Sequence, residues 1–274
     1  MKSEDVKQLI IRAIEELGAA LSVGRSEELT EYLVAIGRFH RYSLHNVMLI
    51  ALQKPTATYV AGFHTWNKLG RHVRKGEKGI FILAPIVRKK EPTDAELEAS
   101  DRVLCGFRAC AVFDYSQTEG QELPTIGRVE GDPSHYEKRL ANFVAEQGIA
   151  LSYSEDIAPA KGTSEGGKIA LLPGMTPAES FATLVHECAH ELLHRAANRK
   201  EISKRQKETE AEAVAFVVCR AIGLNAGNAC RNYIQLYRGD AALLMESLER
   251  VQSTASRILD GMSEREQTAA ASGD

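Results

Sequence analysis

The chain has 274 residues, 44% hydrophobic and 26% charged, with 34 Lys and Arg against 37 Asp and Glu for a net charge of −3. That is the make-up of a globular protein of one or two domains with material for a sizeable core, and it carries no global signal for nucleic acid. No apolar stretch approaches the ~18 residues of a membrane span, and the N-terminus opens a polar amphipathic helix where a secretory segment would be apolar. Five cysteines, Cys105, Cys110, Cys188, Cys219 and Cys230, show no paired zinc-ribbon spacing. A cytoplasmic protein with reduced thiols and no membrane partner is expected.

Val6, Leu9, Ile10, Ala13, Ile14 and Leu17 recur at helical spacing over residues 5–21, and Leu29, Tyr32, Leu33, Ile36 and Phe39 over 26–40, with Ser26 as N-cap of the second helix. Ser43 caps a third helix, Leu44–Gln53, which Pro55 ends. The pattern then shifts. Ala57–Val60 reads as a strand, Phe63–Leu69 as a short helical turn, and Gly79–Val87 and Cys105–Tyr115 as strands, with a charged loop over 89–101. Residues 116–133, rich in Gly, Pro, Gln and Glu and without periodicity, suit a linker.

A local charge inversion lies inside this acidic chain. From Lys68 to Lys90 there are eight basic residues (Lys68, Arg71, Arg74, Lys75, Lys78, Arg88, Lys89, Lys90) and one acid, Glu77, a local +7. Gly70, Gly76 and Gly79 lie among them, and Tyr59, Phe63, Trp66 and Phe81 are interleaved. Cations tracking phosphates and aromatic faces stacking on bases hold single-stranded nucleic acid in this way. A basic solvated hairpin with its aromatics in the core fits the same composition.

Beyond the linker come a helix, His135–Gln147, strands Ala150–Tyr153 and Lys168–Leu172, two further helices, and a helix from Ala241 to Met262 before a frayed tail, 263–274. The first of the two carries His186-Glu187-Cys188-Ala189-His190 behind a capping box, Thr176-Pro177-Ala178-Glu179. Two histidines four apart on a helix reach one divalent ion, and the glutamate between them can hold its water. His190-Glu191-Leu192-Leu193-His194 is a second match in the next register, and helical geometry does not choose between them. The next helical segment, from Lys207 to near Gly223, places Glu208 and Glu212 one turn apart. Glu208 is the best candidate for a third ligand and Glu212 for a residue orienting a ligand from behind.

Tyr42-Ser-Leu-His-Asn46, Val60-Ala-Gly-Phe-His-Thr-Trp66-Asn-Lys-Leu-Gly70-Arg71-His-Val-Arg-Lys75-Gly76-Glu77-Lys78-Gly79 and Val112-Phe113-Asp114-Tyr-Ser116-Gln117-Thr118 resemble the N-terminal domain of the ArdC-type antirestriction family. That domain is associated with single-stranded DNA, so the resemblance implies a DNA surface drawn from Tyr42, Asn46, Trp66, Arg71, Arg74, Lys75 and Lys78. The C-terminal half resembles the metallopeptidase domain of that family and, more loosely, the ImmA/IrrE regulatory peptidases. By that resemblance His186, His190 and Glu208 hold the metal, Glu187 is catalytic, and Glu212 matches the residue one turn on.

The expected fold is α+β, with a single-stranded-DNA-binding domain over 1–125 and a mostly helical, zincin-like metallopeptidase domain with a small sheet over 126–274. The expected function is a zinc (Zn2+) metallopeptidase that responds to single-stranded DNA and cleaves a protein or peptide, either itself or a transcriptional repressor, with Lys168–Leu172 as the sheet edge along which an extended substrate pairs. The alternative is an antirestriction protein that coats and protects single-stranded DNA, with a non-catalytic metal site.

Overall fold

The computed structural model describes residues 2–24, 27–89, 102–122, 134–194, 202–224 and 240–263. The expected Ser26 cap, Lys90 and the loop after it, the linker from residue 123, Cys230 and the tail from residue 264 lie outside them. The fold is mixed α+β, with both helices and strands in the N-terminal part and helices dominating the C-terminal part. The chain divides into two compact units, Met1–Gly127 with Tyr237–Met245, and Arg128–Leu236 with Glu246–Asp274. Among the described residues no helix is long and apolar enough to cross a membrane, and Cys105, Cys110, Cys188 and Cys219 are free thiols.

In the first unit, α1 (Ser3–Ser22), α2 (Glu27–Arg38) and α3 (Leu44–Gln53) bury the stripes their periodicity marks out, among them Val6, Leu17, Leu29, Leu33, Val47 and Ile50. Ser43 Oγ caps α3 by accepting from Asn46 N at 3.4 Å. There follow β1 (Val60–Gly62), α4 (Phe63–Lys68), β2 (Arg71–Val73), β3 (Ile80–Lys89), β4 (Arg102–Asp114) and β5 (Thr118–Gly120). Strands β1, β4 and β3 form an antiparallel sheet in that order, and β2 pairs with β5.

An edge strand leaves backbone donors and acceptors unpaired, and here helices satisfy them. Asn46 on α3 gives its Nδ2–H to Leu83 O and accepts from Leu83 N, both at 2.9 Å. Gln53, two turns on, does the same for Phe81 at 2.8 and 2.9 Å. On β4, Ser3 Oγ donates to Phe107 O at 3.3 Å and accepts from Ala109 N at 3.0 Å.

Two expected boundaries move in this unit. Ala57–Tyr59 is not strand, because Thr58 and Tyr59 give their N–H groups to the Asp114 carboxylate, at 2.7 and 3.1 Å, and not to a ladder. The start of the expected linker is structured: Tyr115–Gln117 is a 3₁₀ turn capped by Asp114, and β5 follows it.

The second unit contains α5 (Ser134–Glu146), β6 (Ala150–Tyr153), β7 (Gly162–Ser164), β8 (Lys168–Leu171), α6 (Pro177–His194), α7 (Lys204–Ala221) and most of α8 (Ala241–Met262). The sheet order is β6-β8-β7, so Lys168–Leu171 is the central strand and not an edge. The edge beside it, β7, is three residues long with no alternating pattern, too short to read from sequence. A Gly166-Gly167 turn joins it to β8, both glycines at positive φ (54° and 97°). Gly167 N donates to the buried Glu191 carboxylate at 2.7 Å, fixing that turn to α6. Helix α7 starts one turn before the expected Lys207, because Ser203 Oγ caps it through Gln206 N at 3.2 Å.

Candidate metal centre and nucleic-acid surface

Helix α6 begins with the expected capping box: Thr176 Oγ1 accepts from Glu179 N at 3.3 Å, and the Glu179 carboxylate accepts from Thr176 N at 3.2 Å. Phe181, Leu184, Val185 and Cys188 are fully buried, which turns His186 and His190 to the opposite side. There the two Nε2 atoms lie 3.1 Å apart. Glu208, on the first turns of α7, brings Oε2 to 3.5 Å from His186 Nε2 and 3.6 Å from His190 Nε2. Ligands bound at about 2.0–2.2 Å to one ion sit roughly 3–3.5 Å apart, so the three atoms have the spacing of a shared coordination sphere. They are a possible metal-holding cluster, their ligating atoms all within 4.8 Å of one another.

The protonation states suit ligation. Burial pushes the His190 imidazolium down to about 4, helped by the neighbouring His186 and opposed by Glu208. Burial also lowers His186, against the pull of Glu208 and Glu212. Both rings are therefore neutral near pH 7 and keep a lone pair for an ion. Glu187 sits beside them, pushed up to about 7 by burial and then by the charges of Glu208 and Glu191. Strand β7 presses on it: a Cβ on Gly162 would lie 2.8 Å from Glu187 Cγ and 2.7 Å from Thr183 Cγ2. His194 turns away from the cluster. Its side chain is 1% exposed and its Nε2 lies 3.9 Å from Glu210 Oε2. A cavity of about 440 Å³ opens onto the cluster, lined by Thr163, Ser164, Glu165, Glu187, His190, Lys204, Lys207 and Glu208.

The residues expected to meet DNA divide in two. Trp66 is 0% exposed and donates Nε1–H to Phe113 O at 2.9 Å, so it offers no ring face to a base. Arg71 is 5% exposed; it donates to Thr118 Oγ1 at 2.7 Å and Thr118 O at 3.1 Å, and stacks 4.0 Å over Tyr115. It holds β5 against β2. The Asn46 amide is committed to β3, and Tyr42, half-buried, donates its hydroxyl to Val60 O at 3.2 Å. Arg74 is exposed but tied to Glu77 at 2.7 Å and Ser116 O at 2.6 Å. Lys75 and Lys78 are exposed, as are Lys68, Tyr59 and Phe63. Tyr59 and Phe63 thus carry the exposed aromatic surface that sequence had divided among four rings.

Residues 2–113 match the family described as the N-terminal domain of anti-restriction factor ArdC. An uncharacterized protein of Bacillus anthracis is 25% identical over 94% of this chain; the chain spans about half (51%) of that relative's length. The crystal structure of the antirestriction ArdC protein from the R388 plasmid, metal-free, is 18% identical and covers 92% of this chain and 96% of its own, with a TM-score of 0.53. The same R388 protein has a Mn(II)-bound structure, 19% identical, covering 85% and 98%, with a TM-score of 0.49. The N-terminal part is therefore homologous to the ArdC-type antirestriction family.

Two expectations are corrected. The ion recorded in the R388 protein is Mn(II), not zinc, and two imidazoles with one carboxylate are donors that serve manganese as well as zinc. The peptidase reading is not carried forward: the family match and the structural similarity both run to antirestriction proteins, and the three ligand atoms form a cluster that could hold a metal ion. The catalytic role read for Glu187 rested on that reading.

Proposed function

We propose that this protein is a metal-binding antirestriction factor that coats single-stranded DNA. The observation that carries the reading is the match of residues 2–113 to the N-terminal domain of anti-restriction factor ArdC. The exposed Lys68, Lys75 and Lys78 with Tyr59 and Phe63 supply the chemistry, cations for the phosphates and ring faces for the bases. A divalent ion, Mn(II) by analogy with the R388 protein, is held by His186, His190 and Glu208, where it fixes α6 against α7.

Fluorescence anisotropy of a labelled oligothymidine against the full chain tests this reading. Binding that weakens with salt and exceeds binding to duplex of the same length is expected. Equal affinity for duplex and single strand, or none for either in low salt, removes it.

A further inference from the structure

Tyr59 precedes β1 and belongs to no strand, yet both of its backbone polar groups are bonded. Its N–H and that of Thr58 go to one oxygen of the Asp114 carboxylate, at 3.1 and 2.7 Å, and its carbonyl accepts from Tyr115 N at 2.8 Å. The other Asp114 oxygen accepts from the Ser116 N–H at 2.9 Å and from the Ser116 hydroxyl. One wholly buried carboxylate thus ties the residues before β1 to the turn after β4, and sets the direction in which the Tyr59 side chain leaves its backbone. The ring then meets Trp66 edge to face, centroids 5.4 Å apart and planes at 70°. Trp66 is held in turn by its indole N–H on Phe113 O and by Tyr115, 6.3 Å away, which carries Arg71 over its own ring. Tyr59 nevertheless stays 42% exposed. Phe63, the neighbouring exposed ring, rests instead on His64, which is itself exposed.

An exposed ring held through its backbone and by a buried ring has little freedom left to lose when a flat partner stacks on it. Every nucleobase offers such a face once it is unpaired. Resting on the single-stranded-DNA reading above, we propose that Tyr59 is a stacking subsite for one unpaired nucleobase, and that Asp114 is its positioning residue, acting on the base only through Tyr59. The subsite adds a base-dependent contribution to that of the phosphate contacts. The two separate by experiment, because an abasic strand keeps its phosphates and has no ring to stack.

The test compares labelled oligothymidine with an abasic deoxyribose-phosphate strand of the same length, each titrated with the full-length protein. Anisotropy gives the affinities. Trp66, the single tryptophan of the chain, lies against Tyr59, so its emission reports a base arriving on that ring. Oligothymidine should bind about fivefold or more tightly than the abasic strand, and it alone should change the Trp66 emission. Tyr59→Leu, at an exposed position, should narrow that preference by about fivefold or more, and Tyr59→Phe should keep it. Asp114→Asn should narrow it in the same way and add no further loss in Asp114→Asn/Tyr59→Leu, because it acts through the ring. Ser116→Ala, which withdraws one donor from the carboxylate, carries the same comparison should Asp114→Asn not fold. A wild-type preference in Tyr59→Leu overturns the subsite and leaves the single-strand reading standing. Parallel loss of affinity for both strands in Asp114→Asn, or a wild-type preference in Ser116→Ala where that variant stands in, overturns the positioning role. Binding of neither strand in low salt overturns the subsite and the single-strand reading together.

Discussion

Arg250 on α8 donates Nη2–H to Glu210 Oε1 at 2.6 Å, and the Glu210 side chain is wholly buried. Glu210 lies two residues beyond Glu208, so this ion pair fixes the part of α7 from which the proposed third metal ligand projects. A buried carboxylate deprived of its partner is an uncompensated charge, which typically costs about 3–5 kcal/mol. Arg250→Met should therefore lower stability to urea by that order and weaken Mn(II) affinity, although Arg250 touches no ligand. Arg250→Met/Glu210→Met should recover most of the stability. Unfolding of the single variant at the wild-type midpoint would show that α7 is held by other contacts.

The two histidine registers make opposite predictions for metal uptake. His186 and His190 share Glu208, whereas His194 faces Glu210. Glu208→Ala and His186→Ala should each reduce Mn(II) affinity by a factor of ten or more, because loss of one of the three proposed ligands would leave an incomplete site. His194→Ala should leave the affinity near wild type while lowering the melting temperature, since it empties a buried position. Isothermal titration with Mn(II) separates the cases. Metal loss in His194→Ala alone would reverse the assignment.

The ambiguity could not be settled from sequence. Histidines four apart diverge by roughly 40° around a helix, so three in succession form a shallow spiral, and any adjacent pair can meet an ion. Which pair does is decided by how far α7 is advanced along α6, a tertiary quantity with no local signal. The capping boxes and periodic stripes, by contrast, were legible because each is a local device. Thr176 and Glu179 close on each other as their spacing requires, and Ser43 caps α3 where its helix begins. Arg71 and Trp66 show the limit from the other side. A charge in a basic run and an aromatic beside it read as a ligand surface, but Arg71 is buried where β2 meets β5, a pairing of three-residue strands that carries no pattern, and Trp66 is buried with its indole N–H on β4.

The metal-free protein should respond to pH through two groups of opposite sign. His190 has its folded value depressed to about 4, so between there and its unfolded 6.5 the unfolded chain binds more protons, and stability falls as pH drops through that window. Glu187 has its folded value raised to about 7 from 4.5, so the folded chain binds more protons between those values, and stability falls as pH rises through them. In EDTA, Glu187→Gln should therefore stabilise the protein at pH 8, by on the order of 1–3 kcal/mol, and have little effect at pH 4.5. Urea titrations at the two pH values check this. Equal effects at both would mean that the Glu187 carboxyl is not strained by burial.

Within one basic run the proposed DNA contacts and the buried scaffold are different residues. Lys75 and Lys78 are exposed, while Arg71 donates into the β5 backbone and is 5% exposed. Each phosphate contact to a single strand contributes about −0.7 to the slope of log affinity against log salt, so Lys75→Ala/Lys78→Ala should flatten that slope by roughly 1.4 without shifting the melting temperature. Arg71→Ala should do the reverse: it leaves the Thr118 carbonyl and hydroxyl without their buried donor and uncovers Tyr115, so the melting temperature drops. Any loss of DNA binding should then follow from unfolding and be restored at lower temperature. Tyr59→Ala/Phe63→Ala should weaken binding with the salt slope unchanged, since stacking releases no counterions. Anisotropy titrations at four salt concentrations, paired with thermal melts of each variant, distinguish the three behaviours. A double lysine variant with the wild-type slope would move the DNA surface away from the β2–β3 connection.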